Sequence, residues 1–396
     1  MKDKIIKYTQ YIFYFPIAIL IFLFIRLISK FFLVRFNFLP TARIGHMAIE
    51  TELYLSEKKS KYFDIFASHK IIANKYLLKL IKKKINLIPS KLMFFLILLN
   101  NKFGNKKHFI NLTPRSASGD RDINNILDKT HANLTFSKDD LIKGEDFLKK
   151  YSIRKYNYVC LHIRDEQYLS KTFPEDKNLN RHSHRNCTPK NYLKAVQFLI
   201  DNNITVIKMG QKNSQQLDIK NTRYIEYAHS SNVSPFLDIF LPAHCKFFLS
   251  SCSGLDFVAK IFRRPILFTN QIPIGSSVLS SSKDMLIMKK YFSLNENKYL
   301  NINEIFSRNL ELIKNGNEYK KLGVDVIENN SMEILNSTKD MIKFLDHRLI
   351  EDPLEIRFKE ILTKNLKTKS LYNLWHNELR SRISPSYLNL NNKIYF

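Results

Sequence analysis

The chain has 396 residues, 44% of them hydrophobic, enough for a real core in one large domain or two of ordinary size. Lys and Arg number 63 against 36 Asp and Glu, a net charge of +27 that points to an anionic partner: membrane lipid, nucleic acid or a phosphorylated substrate. Four cysteines without Cys-x-x-Cys spacing give no metal cluster and fit a reducing compartment, with Cys160 and Cys245 reading as small buried thiols. Lysine- and asparagine-rich composition alone accounts for part of the charge excess.

The first predicted element is the uncharged run Tyr11 to Ile25, "YIFYFPIAILIFLFI". A span needs ~20 apolar residues, so a crossing helix must continue through Arg26 to Ile28. A helix or hairpin lying on the membrane, with Pro16 at a bend, explains the same residues, and so does a buried core helix. No small-residue cleavage site follows, so the segment is expected to remain on the chain. Lys2, Lys4 and Lys7 precede it; the far side is more basic, which favours a cytoplasmic body.

Phe31 to Leu39 then reads as a strand. A loop carrying Gly45 and His46 leads into a helical pattern, and residues 60–110 are apolar, basic and mostly helical in period. No acid occurs from Ile65 to Gly119. Basic and apolar residues at that density suit an anionic membrane surface. A nucleic-acid groove would need the same charge, but no zinc-finger spacing or RNA-binding signature accompanies it. Asn111 to Asp122 reads as a loop. "KDD" at Lys138 to Asp140 reads as a solvated polar loop, and no metal-binding acidic pair stands after a strand.

From about residue 150 strands and helices alternate. Strands are expected at "NYVCLHI", "ITVIKMG", "TRYIEYA", "KFFLS" and "RPILFTN". Helices are expected at "TPKNYLKAVQFLIDNN", capped by Thr188, at "SPFLDIFLPAHC" and at "GLDFVAKIF". That alternation predicts a parallel sheet with helical crossovers. Ligands of such sheets bind beyond the carboxyl ends of the strands. His162 and Arg164 follow the first of these strands. Lys208 and Gly210 end the second, and Ser250, Ser251, Ser253 and Gly254 join a later strand to its helix. Arginine takes phosphate through a bidentate fork, and a small-residue turn at a helix start takes it through free N–H groups. The edge therefore reads as a diphosphate site. Each member has an ordinary alternative: an ion pair for Arg164, a satisfied imidazole for His162, an N-cap for Ser253, a turn for Gly210. No Gly-rich P-loop or dinucleotide fingerprint is present.

"RIGHMAIETELYL", "YVCLHIRDEQYL", "RNCTPKNYLKAVQFLIDNNITVIKMG", "FLDIFLPAHCKFFLSSCSGLDFVAKIFRRPILFTN" and "VIENNSMEIL" follow one another in order over about residues 40–340. This set resembles a bacterial glycosyltransferase family of cell-surface polysaccharide clusters, and its His-x-Arg resembles the donor motif of the wider fucosyltransferase-like group. The resemblance implies an α/β chain of GT-B type: two Rossmann-like domains facing a cleft, behind an amino-terminal apolar membrane segment. It divides the chain into 1–30 (membrane-associating), 31–150 (acceptor side), 151–345 (nucleotide-sugar binding) and 346–396 (a helical tail, packing back on the amino-terminal domain). It implies donor pyrophosphate contact for Arg164, phosphate contact for Ser253 and Gly254, and a place at the interdomain cleft for Gly45 and His46. Two departures stand out. Asp165 occupies the place of a second arginine, which argues against a GDP-fucose donor, and Lys208 occupies the place of an arginine before Met-Gly.

The function so implied is metal-independent transfer of a hexosyl or deoxyhexosyl group from a nucleotide-sugar donor to a glycan, expected to be lipid-linked, in capsule, O-antigen or other lipopolysaccharide synthesis. Its location would be the cytoplasmic face of the bacterial inner membrane, with an anionic membrane surface as partner and neither cofactor nor nucleic acid required. Fixed cations would stabilise the departing diphosphate, and a base drawn from His46, Glu50, Asp165 and Glu166 would take the acceptor's proton. His46 and Glu50 stand one helical turn apart and would share a face. A membrane-anchored phosphate-ligand binding protein, a nucleic-acid-binding protein and a sulfotransferase are the competing readings; the last would place its phosphate loop after an early strand, where none is visible.

Overall fold

The computed structural model describes residues 2–57, 61–112, 122–164, 183–212, 214–374 and 376–396, with side chains described from residue 13 onward. Asp165, Glu166 and most of the Asn111 to Asp122 loop lie outside them. The chain forms two units, residues 1–114 with 132–136, and residues 115–131 with 137–396.

The first unit is built on a parallel three-stranded sheet, β1 (Leu33–Leu39), β2 (Tyr62–Ser68) and β3 (Asn86–Leu87), in that order. Helix α1 (Lys2–Ile28) precedes β1, α2 (Ile44–Glu57) joins β1 to β2, α3 (Lys75–Lys82) joins β2 to β3, and α4 (Ser90–Phe103) follows. β2 corrects the helical reading of residues 60–110. Its disguise is Asp64, a carboxylate in mid-strand. The β1–β2 register sets Asp64 beside Arg35, whose guanidinium donates to both carboxylate oxygens at 2.8 and 2.7 Å, and the Tyr54 hydroxyl donates to Oδ2 at 2.6 Å. Paired in this way, a buried acid fits a strand. Gly45 and His46 lie inside the first turn of α2, not in a loop before it. Pro16 lies within α1 and does not divide a hairpin. Among the described residues no helix is long and apolar enough to cross a membrane.

The second unit carries a seven-stranded sheet in the order β13-β9-β8-β7-β4-β5-β6, parallel at every pairing. The strands are β4 (Tyr158–His162), β5 (Thr205–Lys208), β6 (Tyr224–Ile225), β7 (Phe247–Ser250), β8 (Ile266–Gln271), β9 (Met285–Met288) and β13 (Arg382–Ile383). Every residue of β5, β7, β8 and β9 is buried, as a parallel sheet covered on both faces requires. A small antiparallel sheet, β11 (Lys298–Tyr299), β10 (Lys290–Ser293) and β12 (Val324–Ile327), stands beside it in the chain.

Several expectations are revised here. "KDD" is the start of helix α5 (Lys138–Lys150), where Ser137 and Asp140 form a capping box; this helix belongs to the second unit, not to a 31–150 domain. The Thr188 side chain makes no capping hydrogen bond to its helix; its hydroxyl donates to Glu328 Oε1 at 2.5 Å. Residues 346–396 form no separate tail. They supply β13 to the sheet, Arg382 pairs with Glu355 at 2.8 Å, and Ser384 and Ser386 donate to Asp340 at 2.7–2.9 Å, all within the second unit.

Candidate functional site

The carboxyl ends of β4, β5 and β7 lie level because the register fixes them. Leu161 faces Lys208 and His162 faces Ser250. The chain is then tied across the edge: Met209 N–H donates to the Leu161 carbonyl at 2.7 Å, Ser251 N–H to the His162 carbonyl at 3.1 Å, and Arg164 N–H to the Ser251 hydroxyl at 2.6 Å. His162 and Arg164 are thus brought together with the Ser250–Ser253 turn.

His162 is held neutral. Burial, then the charges of Lys208 and Arg164, push its pKa down to about 3. Its Nδ1 is buried and has no hydrogen-bond partner among the described residues. A buried nitrogen in this state is costly unless a ligand or water meets it.

The turn after β7 passes through Cys252 at φ 63°, the left-handed region that a side chain rarely occupies. Two contacts hold it there. The Cys252 thiol donates to the Thr269 carbonyl at 3.2 Å, and Arg185 Nη2 donates to the Cys252 carbonyl at 3.0 Å. Arg185 reaches this strained turn through its guanidinium, and Arg164 is tied to it through its backbone N–H on the Ser251 hydroxyl. Lys289 stands just beyond β9 on the same edge; it is buried, and its ammonium donates to the Asn186 carbonyl at 2.7 Å. Arg185 and Lys289 have no signal in the sequence beyond being two of 63 cations. Arg185 enters from a short 3-10 turn at residues 183–185, and Lys289 directly follows a strand that the expected set did not include.

Ser253 is differently engaged than a phosphate-binding turn would have it. Its N–H donates to Asp256 Oδ2 at 2.9 Å, and its hydroxyl accepts from Leu255 N–H at 3.1 Å. Asp256 opens helix α6 (Asp256–Ile261), only six residues long, and also accepts from the Ser250 hydroxyl at 2.9 Å. Burial raises the Asp256 carboxyl to about 7. The Ser253 N–H and hydroxyl and the Ser250 hydroxyl are thus engaged within the turn itself. Gly254, next to Ser253, is exposed.

Lys208 is 1% exposed, and its ammonium donates to Glu226 Oε1 and the Gln215 carbonyl, both at 2.7 Å. The Tyr224 hydroxyl donates to the same carboxylate. Lys208 thus ties β5 to the segment around β6, with two of its three ammonium protons engaged there. Gly210, at φ 142°, holds a backbone conformation that favours glycine, and a Cβ there would meet Ser214 Oγ at 3.1 Å.

In the first unit, His46 Nδ1 lies 2.6 Å from Glu50 Oε1, with Glu50 buried and His46 half-buried. The i, i+4 spacing puts them on one helical face. This is the geometry of a base oriented by an acid.

No family model matches the chain, and no curated protein matches it. Among solved structures it is similar to the E. coli ADP-heptose lipopolysaccharide heptosyltransferase II, with 13% identity, 65% of this chain and 90% of that chain covered, and a TM-score of 0.39. It is also similar to the iron-containing dodecameric glycosyltransferase TibC of enterotoxigenic E. coli, with 11% identity, 61% and 59% covered, and a TM-score of 0.32. At these scores neither likeness carries an argument, and the functional reading rests on the site itself.

Proposed function

We propose that this chain is a glycosyltransferase that binds the diphosphate of a nucleotide-sugar donor at the carboxyl edge of its seven-stranded sheet. The observation that carries the reading is the pair Arg164 and Arg185 about the strained Cys252 turn, at the level strand ends where parallel sheets bind ligands. In the reaction an acceptor hydroxyl attacks the anomeric carbon. The bond from that carbon to the diphosphate oxygen breaks, and negative charge grows on the leaving group. Arginines already in place stabilise that charge without reorganising. Lys289 adds a third positive charge on this edge, and neutral His162 offers a ring nitrogen to the donor. His46, oriented by Glu50, is the base we assign to the acceptor proton. The acceptor is proposed to be a glycan of surface polysaccharide or lipopolysaccharide, carried on lipid, and the place of work the cytoplasmic face of the bacterial inner membrane.

The test is transfer of radiolabelled sugar from UDP-, GDP- and CMP-linked donors to an extract of lipid-linked glycans. One donor is expected to label the glycan, in EDTA as fully as without it. Donor hydrolysis without any transfer, or total loss in EDTA restored by manganese, would overturn the mechanism.

A further inference from the structure

Helix α1 has two apolar faces with different fates. One face buries Ala18, Phe22 and Ile25, at i, i+4 and i+7, in the core that α4 shares. The outer face exposes Leu20, Leu23, Phe24 and Leu27 at 57–73%, and Phe31, just past the helix, at 90%. A contiguous apolar display of this kind marks a surface that something covers. Its electrostatic setting narrows what that is. Arg26 Nη1 donates to the Phe103 carbonyl at 2.7 Å, joining the carboxyl ends of α1 and α4. Exposed Lys30, Lys102, Lys106 and Lys107 cluster in sequence at these two ends. No acid occurs between Lys4 and Ile49 or between Ile65 and Gly119; the one acid of α1, Asp3, stands in its first turn, at the opposite end from these cations.

We propose that this face lies in the surface of an anionic lipid bilayer. α1 rests along the headgroup boundary, its outer side chains in the acyl region to a depth of ~5–10 Å, with Arg26 and the lysines on lipid phosphates. The helix lies on the membrane because its other face is already committed to α4. A second copy of the chain is a poorer occupant. It would set the same basic, acid-free face against itself, whereas lipid supplies the missing negative charge. The inference uses no residue of the sheet-edge site, so it stands or falls apart from the transferase reading.

The test is flotation of the full chain with vesicles of phosphatidylcholine alone and of phosphatidylcholine with an equal part of phosphatidylglycerol. The native chain is expected to float with the anionic vesicles and to be partly released by salt. Replacing Lys102, Lys106 and Lys107 with Gln should lower partitioning onto the anionic vesicles roughly a hundredfold and leave that onto phosphatidylcholine nearly unchanged. Replacing Leu20, Leu23, Phe24 and Leu27 with Ser should abolish flotation on both. A Leu23→Cys protein labelled with a polarity-sensitive fluorophore should shift to the blue on anionic vesicles, which keeps the test alive if the serine variant fails to fold. The proposal is overturned if the native chain stays unbound, if the serine variant folds and floats equally well, or if the label is unmoved. It is also overturned if light scattering shows a dimer that the serine variant dissociates and vesicles do not.

Discussion

Arg164 and Lys208 are both cations next to the edge of a parallel sheet, and the sequence alone gives them the same claim on a phosphate. Their surroundings separate them. Lys208 is committed to Glu226 in a buried pair, and removing one partner of such a pair strands the other charge. Lys208→Met is expected to lower unfolding stability by about 3 kcal/mol in urea titration, while donor affinity measured on the folded variant stays within a factor of two or so of the native value. A variant of native stability that has lost the donor would reverse these roles. Asp256 makes a second residue-scale prediction. Its folded pKa is raised to about 7, against ~3.9 in the unfolded chain. The folded state therefore keeps the proton longer, and the stability this confers is complete below ~4 and lost as pH rises through about 7. Asp256→Asn cannot titrate, so its stability relative to the native chain should rise by roughly 2–4 kcal/mol across that window. His162, depressed to about 3, acts in the opposite sense over an overlapping range, which is why the comparison is between proteins and not a single pH profile. Thermal unfolding of both proteins at several pH values checks it; a constant difference would contradict the buried acid. The place of Arg164 after its strand was legible in the sequence; the commitments of Lys208 and Asp256 were not. Arg185 and Lys289 are as ordinary in sequence as dozens of other cations, and only the fold shows which carbonyls they reach.

Elements were more legible than residues, with a physical boundary to the legibility. β4, β5, β7 and β8 are short apolar runs closed by polar or small residues, and buried parallel strands must look like that. β2 hides because its mid-strand acid is satisfied by Arg35, a partner 29 residues away. β13 hides because two residues are too few to carry a period. Asp64→Asn tests the β2 assignment: losing the charge facing Arg35, a group still one-fifth exposed, should cost about 2 kcal/mol in urea unfolding. Native stability in that variant would mean that the ion pair does not hold the two strands. The capping box at Ser137 shows a smaller limit. A Lys-Asp-Asp run reads as solvated until one sees Asp140 turned back onto the serine that precedes it.

At the scale of the whole chain, two α/β units with parallel sheets stand where two Rossmann-like domains were expected, but their boundaries follow contacts more closely than composition did. The carboxyl-terminal residues finish the second sheet, and α5 belongs with it. At this scale Arg164 and Arg185 are proposed to form the anion site of a nucleotide-sugar enzyme. Thermal unfolding with UDP-, GDP- and CMP-linked sugars tests it most directly. At 100 times its dissociation constant, one donor should stabilise the native chain by ~2.7 kcal/mol, and Arg164→Ala and Arg185→Ala should each remove that shift, with Arg185→Ala also melting lower without donor because the Cys252 carbonyl loses its guanidinium. An undiminished shift in both variants, or no shift with any donor in the native chain, would contradict it.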